Sequence, residues 1–119
     1  MSDVITLYRP VGSGELALIK ASGWRAFPPR LPEQPIFYPV TNEGYARQIA
    51  RDWNARHNED GRGFVTRFDV RAAFLSSYQR QVVGGREHEE YWIPAEELEA
   101  FNAAIEGPIV VIEAFGGEP

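Results

Sequence analysis

Four prolines crowd residues 28–35 (PPRLPEQP) and constrain the fold more than any other stretch of the chain. Each proline lacks a backbone N–H and fixes its own φ angle, so this segment forms neither a helix nor a central strand. We therefore predict a stiff loop here. Two roles are open for it: a rigid connector, or a wall around a ligand, since a stiff loop loses little entropy when it becomes ordered.

Short strands and helices alternate on both sides of this loop. Patterns of apolar, β-branched and aromatic residues predict strands at 4–9, 24–27, 36–40, 63–70, 81–83, 91–93 and 108–115, and the last of these is expected to be buried. Helical spacing and end signals predict helices from Ser13 to Gly23, from Glu43 to about Ala55 and from Pro94 to Gly107, with one helical turn at 71–75. Because helices do not separate every strand pair, the order favours a single α+β domain over residues 1–119 rather than a doubly wound parallel sheet.

The composition argues against several classes of site and partner. The chain has no cysteine, so disulfides, thiol nucleophiles and thiolate metal ligands are excluded. The net charge of −5 argues against bulk nucleic-acid binding, although one or two arginines can still hold a small anion. No apolar run approaches the roughly 20 residues that a membrane span needs, and the first residues do not resemble a signal peptide. We expect a cytoplasmic protein without a membrane partner.

The histidines and serines give little support for metal or hydrolytic chemistry. His57 and His88 are the two histidines, and Trp92 stands where a His-Glu-x-x-His motif would place its second ligand. We therefore predict no metal site. Ser76 and Ser77 lie in no nucleophile elbow, so serine hydrolase chemistry is unsupported.

The segment 87–94 (EHEEYWIP) is the strongest candidate for chemistry. Three glutamates and a histidine lead directly into an apolar, strand-like triplet that Pro94 ends. A carboxylate beside an apolar wall is costly because desolvation disfavours its charged form. A chain that keeps one there has a use for it. The alternative is a solvated turn before a strand, which acidic runs commonly form.

Three segments, taken in order, resemble the ADP-ribosyltransferase fold of bacterial toxins and related enzymes. Tyr8 and Arg9 end the first strand, residues 37–41 (FYPVT) run directly into a helix, and residues 89–94 (EEYWIP) enter a late strand. The whole chain is also similar to short bacterial proteins that carry an "ADP-ribosylation/crystallin" label. The resemblance implies a split, mostly antiparallel β-sheet core with about three helices, and NAD as the substrate.

The resemblance also implies roles for individual residues. Arg9 would hold a phosphate or ribose of NAD, since guanidinium geometry suits bidentate contact. Tyr38 would offer an aromatic face near the nicotinamide. Glu90 would be catalytic, bonding the ribose 2′-hydroxyl and stabilising the oxocarbenium-like charge as nicotinamide leaves. Glu87 or His88 would help position the acceptor. The implied cofactor-binding set is Arg9, Tyr8, Tyr38, Thr41 and His88.

Departures from the family pattern leave alternatives open. The middle segment offers only Thr41 where arginine-type enzymes carry a serine-rich motif, and Arg9 stands where histidine-type enzymes carry a histidine. Arg9 also fits a simple ion pair, and Tyr38 fits a core aromatic. Three functions remain: an NAD-dependent ADP-ribosyltransferase with an unknown acceptor, a non-catalytic nucleotide- or protein-binding module, and a protein whose acidic run docks a basic partner. The residue that matches the family's final glutamate is one of Glu87, Glu89 and Glu90.

Overall fold

The structure, a computed structural model, describes residues 3–54, 61–82 and 88–116. The strands are β1 (Val4–Val11), β2 (Ile36–Phe37), β3 (Arg62–Arg71), β4 (Arg80–Val82), β5 (Glu89–Tyr91), β6 (Ile93–Pro94) and β7 (Ile105–Gly116). The α-helices are α1 (Ser13–Ala21), α2 (Glu43–Ile49), α3 (Ala72–Leu75) and α4 (Leu98–Ala103). A π-helical turn (Ala50–Asn54) continues α2, and a 3₁₀ turn (Ala95–Glu97) precedes α4. The predicted α+β class is confirmed, with four α-helices in the described part rather than about three.

The three long strands form an antiparallel sheet in the order β1-β3-β7. The central strand β3 alternates apolar and polar residues, as the sequence predicted, and its apolar side chains are buried. Among the described strands β7 pairs only with β3, so it lies at the edge of this sheet, and most of its residues are partly or fully exposed. The prediction of a buried C-terminal strand was therefore wrong: an edge strand has a neighbour on one side only.

Four further strands form two short antiparallel ladders: β4 pairs with β5, and β2 pairs with β6 as a separate two-stranded sheet. Val40 joins β5 to the long strands, because it bridges Tyr8 on one side and Glu90 on the other. The predicted strand at 36–40 is thus shorter, with regular pairing only over β2 and a single bridging residue after it.

Two apolar clusters pack on the sheet. The larger one is rich in phenylalanine and includes Leu7, Phe27, Phe37, Phe68, Tyr91, Ile93 and Phe101. The smaller one lies under α2 and the π-helical turn and contains Val40, Ala46, Ala50 and Val65, with Tyr8 and Tyr45 packed against it. Side chains alternate along a strand, so neighbouring residues of β1 face different clusters: Leu7 belongs to the larger one and Tyr8 packs against the smaller one.

Residues 24–27 do not form the strand that their alternation predicted. Trp24 has a positive φ of 64°, and the backbone N–H and C=O of Phe27 bond to the Asn102 side chain at 2.9 and 3.0 Å. A side-chain amide can satisfy one donor and one acceptor, as a neighbouring strand would. The proline-rich segment that follows has no helix or strand, as predicted.

Helix α2 begins with a side-chain cap on the backbone of Tyr45. The Asn42 Oδ1 accepts a hydrogen bond from the Tyr45 backbone N–H at 2.9 Å. The predicted helix from Glu43 to about Ala55 is α-helical only to Ile49, and Ala55 lies outside the described residues. No helix in the described ranges is long and apolar enough to cross a membrane.

Replacing this cap should weaken the fold by a modest amount. We expect Asn42→Ala to lower the free energy of unfolding by about 1 kcal/mol, the typical cost of losing such a cap. Asn42→Asp should retain most of the stability, because a carboxylate also caps and suits the positive end of a helix. Urea unfolding of the three proteins measures the difference, and equal losses for Ala and Asp would contradict a capping role.

Candidate functional site

Three extended segments that the sequence singled out lie side by side. Tyr8 and Val40 exchange backbone hydrogen bonds of 2.9 and 2.8 Å, which ties β1 to the segment 38–41. On its other side this segment bonds to β5, through Thr41 N–H to the Glu89 carbonyl at 3.0 Å and Tyr91 N–H to the Pro39 carbonyl at 2.9 Å. The candidate residues of all three segments are therefore neighbours in space.

The pairing places these residues on two opposite faces. Directly opposed residues of an antiparallel ladder share a face, so Tyr8, Val40 and Glu90 lie together on the face of the smaller cluster. Their neighbours Arg9 and Glu89 point to the other face. Arg9 and Glu90, the implied cofactor-binding and catalytic residues, therefore leave the sheet in opposite directions.

Glu90 is a buried carboxylate held by neutral donors. Its side chain is only 7% exposed. The Tyr45 hydroxyl donates to Oε2 at 2.8 Å, and the Trp92 indole N–H donates to Oε1 at 2.8 Å. Within the described ranges, no lysine or arginine forms an ion pair with it. Buried carboxylates usually have a cationic partner. Among the described residues, two neutral donors hold this one in their place and fix its orientation.

Aromatic rings surround this carboxylate. His88 stacks on Tyr45 with ring centroids 4.2 Å apart and an interplanar angle of 13°. Burial, followed by the bond to Glu90, raises the pKa of Tyr45, so its hydroxyl stays protonated and remains a donor at neutral pH. Trp92 is 45% exposed, so one side of this group opens to solvent. A carboxylate held by the edges of two aromatic side chains suits a ligand that carries or develops positive charge.

Glu89 has a more ordinary environment. Its Oε1 accepts a hydrogen bond from the Thr41 hydroxyl at 2.8 Å and lies 3.6 Å from a guanidinium nitrogen of Arg80. Its charge is thus partly balanced, and it shares a face with Arg9. Glu87 lies outside the described residues.

Arg9 is buried and paired. It is 6% exposed, and it donates from Nε and Nη2 to the two carboxylate oxygens of Glu15 in α1, at 2.8 and 3.1 Å. Its guanidinium carbon lies 4.6 Å from the centroid of Phe37 and 5.6 Å from that of Tyr38. The ion-pair alternative from the sequence is the arrangement observed, although the pair is largely buried rather than on the surface.

Two members of the Glu90 group were not predicted as site residues. Tyr45 lies within the helix predicted from Glu43, and nothing local in the sequence points its hydroxyl at a glutamate 45 positions away. For Trp92 a signal was available, because the period-two alternation of a strand places it on the same face as Glu90. Tyr8 packs as a half-buried aromatic of the smaller cluster, and Tyr38 is 42% exposed beside Arg9.

The part of the chain that the structure describes contains no group of three or more histidine, aspartate or glutamate side chains placed to hold a metal ion.

Comparison of the chain with protein-family models, with curated proteins and with solved structures finds no significant match.

Proposed function

We propose that this protein cleaves NAD and transfers ADP-ribose to an acceptor, with Glu90 as the catalytic residue. The observation that carries the proposal is the Glu90 carboxylate itself: buried, fixed by two neutral donors and unpaired with any lysine or arginine of the described residues. Burying a carboxylate without a cationic partner costs stability, and natural chains depart from the favourable arrangement mainly at functional sites.

The proposed reaction breaks the bond between the ribose C1′ and the nicotinamide nitrogen. The bonding electrons leave with nicotinamide, so positive charge develops on C1′ and the ring oxygen. A fixed carboxylate stabilises this charge more than it stabilises the ground state, which is what lowers a barrier. An acceptor lone pair then bonds to C1′, and the acceptor's proton passes to solvent. Water is the default acceptor.

The neutral donors suit this role. Tyr45 and Trp92 hold the two Glu90 oxygens as neutral donors. A lysine or arginine in their place would cancel the negative charge. The rings of Tyr45 and Trp92, together with His88, give flat apolar faces for a ribose or a nicotinamide ring. The direct test is release of nicotinamide from NAD by the purified protein, measured with water alone and with an added basic protein as acceptor.

Removing one donor should reduce this activity by a limited factor. We expect Tyr45→Phe to lower the rate of nicotinamide release about 10-fold, because a hydrogen bond to a charged group contributes about 1.5–3 kcal/mol and solvent replaces part of it. Tyr78→Phe is the matched control, since its hydroxyl donates to Glu97 instead. An equal loss in both variants would mean that the Tyr45 hydroxyl has no specific role.

A second candidate is a binding module without turnover. The observation in its favour is that Glu15 occupies two donors of Arg9, the residue implied to hold NAD, on the face opposite Glu90. NAD binding by calorimetry without nicotinamide release identifies this alternative. Release of nicotinamide rejects it.

A further inference from the structure

Two guanidinium groups share one aromatic ring near the start of α1. The guanidinium carbon of Arg9 lies 4.6 Å from the Phe37 centroid, and that of Arg30 lies 5.9 Å from it. Arg30 comes from the proline-rich segment 28–35, for which the sequence left a ligand-facing role open. Both cations are thus held beside the same apolar ring by separate parts of the chain.

The cluster has one carboxylate for two cations. Both oxygens of Glu15 accept hydrogen bonds from Arg9. The Arg30 Nε is buried and has no hydrogen-bond partner among the described residues. Burial and the nearby positive charge of Arg9 disfavour the charged form of Arg30 and lower its pKa. An added anion would relieve both the lost hydration and the repulsion.

We propose that Arg30 is the anchor of a binding subsite for a phosphoryl group, with Arg9 adding positive charge from beside it. A guanidinium presents a planar fork of N–H donors that matches phosphate oxygens, and it does so best where water is partly excluded. Arg30 forms no ion pair with the described residues, so no carboxylate of that part of the chain already occupies its guanidinium. Neither Arg30 nor the use of this cluster enters the proposed transfer reaction, so the subsite stands independently of it.

A cavity next to Arg30 can hold the rest of the ligand. Arg30 lines this cavity of about 460 Å³, whose apolar wall includes Phe27, Ala95 and Leu98. Cavities of this size hold small organic ligands. Glu96 and Glu99 also line it, so a phosphoryl group is disfavoured inside the cavity and favoured at Arg30. The expected ligand is therefore a phosphorylated compound whose uncharged part enters the cavity.

Isothermal titration calorimetry at fixed ionic strength tests the subsite with two probes, pyrophosphate and ADP-ribose. We expect the wild type to bind at least one probe and Arg30→Gln to bind it at least 10-fold more weakly, the factor for losing a charge-assisted bidentate contact. Arg25→Gln, at an exposed arginine five positions away, should bind as the wild type does. Thermal melting checks that both variants are folded, which we expect because Arg30→Gln removes a poorly stabilised charge.

Each result has a defined meaning. Tighter binding of ADP-ribose than of pyrophosphate supports the subsite and identifies a nucleotide as the source of the phosphoryl group. Binding of pyrophosphate alone supports it with a different phosphorylated compound. Failure of the wild type to bind either probe overturns the proposal, as does equal binding by wild type and Arg30→Gln. Nicotinamide release is a separate readout, so failure here does not decide the transfer reaction.

Discussion

Glu90→Gln is expected to lower the rate of nicotinamide release from NAD by about 100- to 1000-fold, the usual effect of removing one preorganised electrostatic stabiliser. The substitution keeps the size of the side chain. The amide oxygen can still accept from the Trp92 indole, and the amide nitrogen can donate to the Tyr45 hydroxyl, which accepts as well as donates. The fold should therefore survive while the negative charge is lost.

Glu89→Gln is the matched control, because it changes the adjacent glutamate of the same strand on the opposite face. We expect it to lower the rate by no more than a few-fold. The reverse outcome, a large loss for Glu89→Gln and little change for Glu90→Gln, would transfer the catalytic role to the face that carries Thr41 and Arg9. Steady-state nicotinamide release, with circular dichroism as the check on folding, separates the two.

Glu15→Gln is expected to destabilise the fold by about 2–3 kcal/mol, or roughly 10 °C in melting temperature. It leaves the buried Arg9 guanidinium without its carboxylate and exposed to repulsion from Arg30. Breaking a fully buried pair costs about 3–5 kcal/mol, and the smaller figure reflects the 21% exposure of the Glu15 side chain. Urea unfolding measures the loss.

The double variant Arg9→Met with Glu15→Leu distinguishes a buried pair from a general packing defect. Replacing both charges by apolar side chains of similar volume removes the desolvation cost together with the attraction, so stability should return to within about 1 kcal/mol of the wild type. A double variant as unstable as Glu15→Gln would contradict the account of Arg9 and Glu15 as a buried ion pair.

Local pattern predicted β1, β3 and α1 close to their observed bounds, but the helix predicted from Pro94 to Gly107 is α-helical only over Leu98–Ala103, and β7 already begins at Ile105. The alternation along β3 and the single turn of α3 follow from residue periodicity, and the proline-rich loop follows from the missing N–H groups. Residues 24–27 show where periodicity fails: a single amide from Asn102, 75 positions away, satisfies the Phe27 backbone and replaces a strand partner. No local pattern contains that contact.

The chain segments that form the candidate site could be predicted from the sequence, but the face of the sheet that each side chain occupies could not. The resemblance implied one site for the segments of Arg9, Thr41 and Glu90, and backbone pairing brings these segments side by side. Which face each side chain occupies depends on register, and a shift of one residue reverses it. The pairing of Arg9 with Glu15 depends on how α1 packs back over β1, which is a tertiary contact. Sequence patterns therefore identified the candidate site residues, and the strand register determines which of them share a face of the sheet.

The most direct measurement is the product balance of the wild-type protein incubated with NAD. The account predicts nicotinamide and ADP-ribose, free or attached to an acceptor, in equal molar amounts and in excess of the protein, as mass spectrometry would quantify. A folded wild-type protein that binds NAD and leaves it intact, with every tested acceptor present, would contradict the central claim that the Glu90 carboxylate serves NAD cleavage.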